Sequence, residues 1–273
     1  MKKRIISLLL AVCLLFGAML TLASCTIDSN VTKMANAMGA TFCEGHGYDF
    51  SVTLTGTIKN GDTESTVNVK YDVIIDKDDI KKSKNSLAIA DNPLANVTYY
   101  TDGEYVYAEY LGFKYKTSEI TFQKTTPFIQ EKIRSGLFNV WSEGNLKAGT
   151  FTESDGALTF STSWSDTSAD ENHVLSAQPR EILESAFYLY TKSYNESSNP
   201  KCTDSTLTVT AKDGYVTELT ASASLEKGDV SGDVEMVVIV NNPGQDATVT
   251  LPAGCESWNS LDGLSSLLGG LFK

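Results

Sequence analysis

Strict alternation of apolar and polar residues is the feature that most narrows what this chain can fold into. Phe50, Val52, Leu54 and Ile58 fall at even spacing, with Ser51, Thr53, Thr55 and Thr57 between them. Successive side chains of a strand point to opposite faces, so this period of two predicts a strand with one face buried and one wetted. Val67, Val69, Tyr71, Val73 and Ile75 repeat the pattern, and the polar turn around Asn60-Gly61 joins the two runs into a hairpin. Another hairpin is expected about Asp155-Gly156, inside "NLKAGTFTESDGALTFSTSW". Three more strands are expected at residues 206–212, 215–225 and 233–240, with residues 249–251 as a short last one.

The stretch "NVTYYTDGEYVYAEYLGFKYKT" packs aromatic residues between two Gly-containing turns. With Asp102-Gly103 as a two-residue turn, a strong hairpin signal, Tyr100 lies opposite Tyr105 and Tyr99 opposite Val106. With Leu111-Gly112 as the next turn, Glu109 lies opposite Lys114 and Tyr110 opposite Phe113. The residues then sort into two faces. One holds Val97, Tyr99, Val106, Ala108, Tyr110, Phe113 and Tyr115. The other holds Tyr100, Tyr105, Tyr107, Glu109, Lys114 and Lys116. A slip of one residue would scramble the sorting.

Helices interrupt the hairpins. Asp28 or Ser29 can cap a short one carrying Val31, Met34 and Met38 on one side, with Gly39 ending it. Thr126-Pro127 opens a second, with Phe128, Ile129 and Ile133 apolar and Gly136 as the stop. Leu183, Phe187, Tyr190 and Tyr194 recur at helical spacing in a third, from about residue 178 to 194. Leu261, Leu264, Leu268 and Leu271 share one helical side of the tail, where Gly269 and Gly270 weaken the pattern. No internal repeat and no Pro/Gly-rich linker divides the chain. Hairpins with a few helices make an antiparallel α+β domain rather than a parallel sheet built from crossovers.

The N-terminus reads as an export signal: Lys2, Lys3 and Arg4, then an apolar run over residues 5–22, then small residues before Cys25. Residues 1–24 are the signal, and residues 25–273 form a single domain. Leu22-Ala23-Ser24-Cys25 resembles the lipobox of bacterial lipoproteins. The resemblance implies cleavage before Cys25 and a diacylglycerol on its sulfur. Two or three acyl chains hold a protein on a bilayer stably. The expected location is the extracytoplasmic face of the cell membrane, lipid-anchored.

The chain has 22 basic and 34 acidic residues, a formal net charge of −12. Removing the signal takes three basic residues and no acidic one, so the remainder carries −15. That excludes nucleic acid as a partner, because phosphates demand clustered positive charge. After Cys25, only Cys43, Cys202 and Cys255 remain, enough for one disulfide in any of three pairings. No CxxC motif or Cys/His cluster suggests zinc, and no metal site or cofactor is expected.

Catalytic motifs are also missing: HExxH, a phosphate-cradling GxxxxGK, GxGxxG and GxSxG do not occur. Two SxxK matches, Ser198 to Lys201 and Ser224 to Lys227, open no helix and come without KTG. The acidic run at residues 76–79 lacks the turn glycine and spacing of a calcium loop, and reads as a charged turn. His46 and His173 lie in polar loops. An enzyme would need polar groups clustered around one of them, and the sequence offers none, so the chain is expected not to be an enzyme.

The order of elements, and above all "YYTDGEYVYAEYLGFKYK" at residues 99–116, resembles the bacterial lipoprotein-carrier superfamily. That superfamily includes the periplasmic lipoprotein carrier, mycobacterial lipid-carrying lipoproteins and related Gram-positive lipoproteins. The resemblance implies an α+β fold: a strongly curved, mostly antiparallel half-barrel whose concave face is covered by two or three helices. It also implies a hydrophobic ligand, a lipid or acyl chain, between sheet and helices. Candidate ligand walls are Tyr99, Tyr110, Phe113, Tyr115, Phe187 and Tyr190. The alternative is a module that engages another envelope protein through outward-facing Tyr100, Tyr105 and Tyr107, since tyrosines make rigid, amphipathic anchors.

Overall fold

The computed structural model describes residues 29–42, 46–90, 92, 94, 96–118, 146–147, 149–164 and 200–261. The expected signal segment, Cys25, Cys43, the expected helices at 126–136 and 178–194, His173 and the Leu-rich tail beyond residue 261 lie outside them.

One helix, α1 (Ser29–Thr41), and twelve strands make up the described fold. The strands are β1 (Tyr48–Asn60), β2 (Thr63–Ile75), β3 (Lys82–Ile89), β4 (Val97–Asp102), β5 (Tyr105–Tyr110) and β6 (Phe113–Ser118), then β7 (Thr150–Ser154), β8 (Ala157–Trp164), β9 (Lys201–Lys212), β10 (Tyr215–Lys227), β11 (Val230–Val240) and β12 (Asn259–Ser260). They form a single open, curved sheet in the order β12-β6-β5-β4-β3-β2-β1-β11-β10-β9-β8-β7. Every pairing is antiparallel except β12 with β6.

The order resolves into two up-and-down meanders, β1–β6 and β7–β11, joined along a seam where β1 pairs with β11. Directly paired residues share a face, so one apolar row can be followed across strands. Phe151 pairs with Phe160, Phe160 with Val209, Val209 with Leu219, and Leu219 with Val238. Val238 pairs with Val52, Val52 with Tyr71, and Tyr71 with Leu87. This is the inner face. Helix α1 lies on it over β8 and β10, burying Val31, Met34, Ala37 and Met38. Serine and threonine fill the other face and bond across strands, as Thr206 with Ser222 at 2.7 Å and Ser86 with Thr98 at 3.0 Å.

Two glycines sit in the seam. A Cβ on Gly56 would come 2.3 Å from Asp233 O, and one on Gly232 would come 3.0 Å from Thr57 O. Only glycine lets the backbones of β1 and β11 approach so closely.

Several expectations change. Gly39 does not end α1, which runs on to Thr41. Thr41 Oγ1 closes that end, donating to Ala37 O (2.6 Å) and accepting from Val216 N (2.6 Å) on β10. The turn between β4 and β5 is Gly103-Glu104 rather than Asp102-Gly103, so Tyr100 pairs with Tyr107 and Tyr99 with Ala108. Asp102 Oδ1 accepts the N–H groups of Glu104 (2.9 Å) and Tyr105 (2.8 Å), which draws Asp102 into the strand end. The offset is even, so the sorting of faces survives it. The Leu111-Gly112 turn pairs Glu109 with Lys114 and Tyr110 with Phe113 as expected. The hairpin about Asp155-Gly156 also forms. Strand β3 alternates poorly and carried no sequence signal, yet it pairs with both β2 and β4. Residues 249–251 are not a strand. The final pairing is the two-residue β12 on β6.

Candidate ligand surface on the inner face

The inner face is mostly buried over one meander, where only Phe151, Val230 and Val240 are half-exposed, and less so over the other. Over β7–β11, where α1 packs on β8 and β10, Phe160, Leu207, Val209, Met236 and Leu225 are completely buried or nearly so. Over β1–β6, Phe50, Val52, Val73 and Ile75 are buried. Leu54, Val69, Leu87, Val97 and Tyr110 on the same face stay half-exposed.

A polar cluster interrupts this second half. The Tyr71 hydroxyl donates to Asn85 Oδ1 (2.8 Å) and lies 3.1 Å from the Tyr99 hydroxyl, while Asn85 Nδ2 donates to Ser83 Oγ (2.8 Å). Tyr71, Asn85 and Tyr99 are all buried. With the Tyr71 proton committed to Asn85, Tyr99 is the donor between the two hydroxyls. Burial pushes both phenols well above the ordinary tyrosine range, so they act as neutral hydrogen-bonding groups.

Of the expected wall residues, Tyr99 is buried in this cluster, Tyr110 and Tyr115 are half-buried, and Phe113 is 62% exposed. Phe113 stacks on Tyr115 with ring centres 6.1 Å apart, and the Tyr110 hydroxyl donates to Leu94 O at 2.5 Å. Tyr99, Tyr110, Phe113 and Tyr115 therefore share one face of three neighbouring strands. Phe187 and Tyr190 lie outside the described residues.

The outward tyrosines divide. Tyr107 was expected to be exposed but is 4% exposed. Trp258 meets its ring edge-on at 6.3 Å, and its hydroxyl donates to Asp102 Oδ2 at 2.8 Å. Trp258 lies about 150 residues downstream, a coverage that no local pattern shows. Burial opposes the Asp102 charge, but the Tyr105 and Glu104 N–H groups and the Tyr107 hydroxyl outweigh it and hold that carboxyl below its usual range. Tyr100 and Tyr105 stay half-exposed, each under a lysine: Lys84 lies 5.9 Å from the Tyr100 ring centre and Lys116 lies 5.4 Å from that of Tyr105.

A groove of about 540 Å³ opens between α1 and the tips of two hairpins, lined by Lys33, Asn36, Asp155, Leu158 and Gly214 among others. An ion pair from Lys33 to Glu153 (2.7 Å) crosses it. Its rim is charged and it lies over the better-buried meander, so it offers an acyl chain little.

The acidic run at 76–79 does more than turn the chain. Asp76 is buried and accepts Val249 N (2.8 Å) and Asp78 N (2.9 Å). The Val249 bond leads in holding its carboxyl below the usual range, against the opposing effect of burial. Nearby, His46 Nδ1 lies 3.0 Å from Asp246 Oδ1, Ala247 N donates to His46 O, and Lys77 N donates to Ala247 O. These bonds fasten the segment after β11 along the ends of β1 and β2. No trio of His, Cys, Asp or Glu placed to hold a metal occurs among the described residues. Cys202 and Cys255 are both buried thiols not bonded to each other. Ser224 lies mid-strand with its hydroxyl on Asp233 Oδ1 (2.6 Å), a sheet contact rather than a nucleophile's setting.

No family model matches the chain, and no curated protein matches it. Solved structures similar to it include the lipoprotein LppX of Mycobacterium tuberculosis, at 12% identity and a TM-score of 0.30, covering 82% of this chain and 98% of that one. LprF from Mycobacterium bovis is similar at 11% identity and a TM-score of 0.34, covering 82% and 95%. A LolA superfamily protein from Nitrosomonas europaea is similar at 9% identity and 0.24, covering 84% and 96%. The TM-scores of all three are too low to carry an argument.

Proposed function

We propose that this chain is a non-catalytic lipoprotein, anchored through Cys25 at the extracytoplasmic face of a membrane, that binds a hydrophobic ligand such as an acyl chain on the inner face of its sheet. One observation carries the reading: the inner face stays half-exposed at Leu54, Val69, Leu87, Val97 and Tyr110, whereas over the other meander most of that face is buried and only Phe151, Val230 and Val240 are half-exposed. Apolar surface left open inside a curved sheet is a surface for apolar ligands. Tyr99, Tyr110, Phe113 and Tyr115 are the described candidates for contact, and Phe187 and Tyr190 are candidates from the sequence.

The test is organic extraction and mass spectrometry of the purified chain from residue 26 onward. Stoichiometric acyl species are expected, together with saturable uptake of a fluorescent fatty acid. A chain that carries no lipid and takes up none overturns the reading. The half-exposed Tyr100 and Tyr105 then favour the second reading, a surface that docks an envelope protein. In that case, changing both to Ser abolishes partner capture.

A further inference from the structure

Five large apolar side chains stand exposed among the described residues: Ile80, Leu94, Leu111, Phe113 and Ile239. Three of them gather at one corner of the sheet. Leu111 is in the β5–β6 turn and 61% exposed, Phe113 begins β6 and is 62% exposed, and Leu94, in the β3–β4 connection, is 64% exposed. The bond from the Tyr110 hydroxyl to Leu94 O ties the two loops together.

Leu111 is out of place by turn chemistry. Three two-residue turns share one left-handed conformation: Leu111-Gly112 (φ 50° and 79°), Asp155-Gly156 (52° and 77°) and Asp213-Gly214 (53° and 84°). Aspartate and asparagine tolerate the first position, whereas a branched apolar side chain is disfavoured there. Two turns obey the rule. The third puts leucine in a strained position and points it at solvent, so packing does not explain it.

The charge of the corner differs from that of the chain. Residues 105–118 carry Glu109 against Lys114 and Lys116, in a protein of net charge −12. Glu109 faces Lys114 across the hairpin. Lys114 lies over the Trp258 ring at 5.4 Å, and Lys116 Nζ donates to Glu256 O. Leucine and phenylalanine stand at the tip, with Tyr110 beside them and Lys114, Tyr115 and Lys116 following along the hairpin, a mix of apolar tip, tyrosine and lysine that suits a segment seated at a membrane surface.

We propose that this corner, Leu94, Leu111 and Phe113, dips into the headgroup region of a phospholipid bilayer. The contact is shallow and reversible and orients the sheet against the membrane. It stands apart from the ligand reading: a chain with a filled interior could make it, and a ligand carrier could lack it.

The experiment is co-sedimentation of the unlipidated chain from residue 26 onward with vesicles of phosphatidylethanolamine and phosphatidylglycerol. The wild-type chain is expected to sediment with the vesicles, and the pair L111N and F113S to bind about tenfold more weakly or worse. Asparagine suits the left-handed turn, so L111N alone keeps or raises Tm while it weakens binding, which separates the effect from unfolding. Ile239→Ser, an exposed apolar change on β11, is the control and leaves binding unchanged. A wild-type chain that stays in the supernatant overturns the proposal. So does equal binding by the tip variants, and so does tip-dependent self-association without vesicle binding.

Discussion

The two meanders share one apolar face and use it differently. The β7–β11 meander has α1 on it, and its inward positions hold close-packed hydrocarbon: Phe160, Leu207, Val209 and Met236. The β1–β6 meander replaces some of that hydrocarbon with tyrosine and asparagine and leaves other positions half-exposed. Interiors built for stability approach crystal-like packing, and each lost methylene is felt. The first meander is therefore the structural half. The second gives up some of that packing.

The largest test of this contrast is Phe160→Ala. Its ring is fully buried against Phe151, with centres 5.3 Å apart, so truncation should cost about 3–5 kcal/mol in urea unfolding. Leu87→Ala, at a half-exposed place on the other meander, should cost clearly less. Equal costs would erase the distinction. Gly56→Ala comes next, at about 1–3 kcal/mol, because the new Cβ meets the backbone of β11. A Tm unchanged by it would mean that the seam does not need its close approach.

Asp76→Asn should cost about 1–3 kcal/mol at neutral pH, because it weakens a charged acceptor at Val249 N. The sign of the pH dependence follows from the lowered carboxyl. Its stabilisation is present above the unfolded-state value of about 3.9 and is lost as pH falls through the lower folded-state value. The wild-type advantage over the variant should thus shrink on acidification below about pH 4, read from parallel urea titrations. The smallest expected effect is Tyr99→Phe, about 1 kcal/mol, because one neutral hydrogen bond to Tyr71 is lost. If this half serves a ligand, the same change alters ligand off-rate more than it alters Tm.

Much of this was legible in local pattern. Period-two alternation marked β1 and β2, and the spacing of Val31, Met34 and Met38 gave the buried side of α1. Leu111-Gly112 set the register of β5 and β6. The failures share a cause, which is information held far away in the chain. Tyr107 is buried by Trp258, and β3 is a strand because two neighbours supply its bonds. The seam pairs Phe50 with Val240, and nothing near either residue announces the other. The Gly103-Glu104 turn was missed for a local reason: the Asp102 side chain caps the turn from outside it. At the candidate site, the shared face of Tyr99, Tyr110, Phe113 and Tyr115 could be read from the sequence. The bond between Tyr71 and Tyr99 could not, since Asn85 brings them together from the strand that gave no signal.

The seam also governs how the molecule is made. The hairpins β1–β2, β4–β5–β6, β7–β8 and β9–β10–β11 close through short turns and can form within microseconds once their strands exist. Joining β1 to β11 must bring together residues separated by almost the whole sheet, and contacts of such long range form slowly. Until β11 emerges, β1 presents a bare thirteen-residue edge, open to any passing strand. A chain made from its N-terminus therefore spends its synthesis with its most adhesive border uncovered, and needs either haste or a chaperone to keep that border clean.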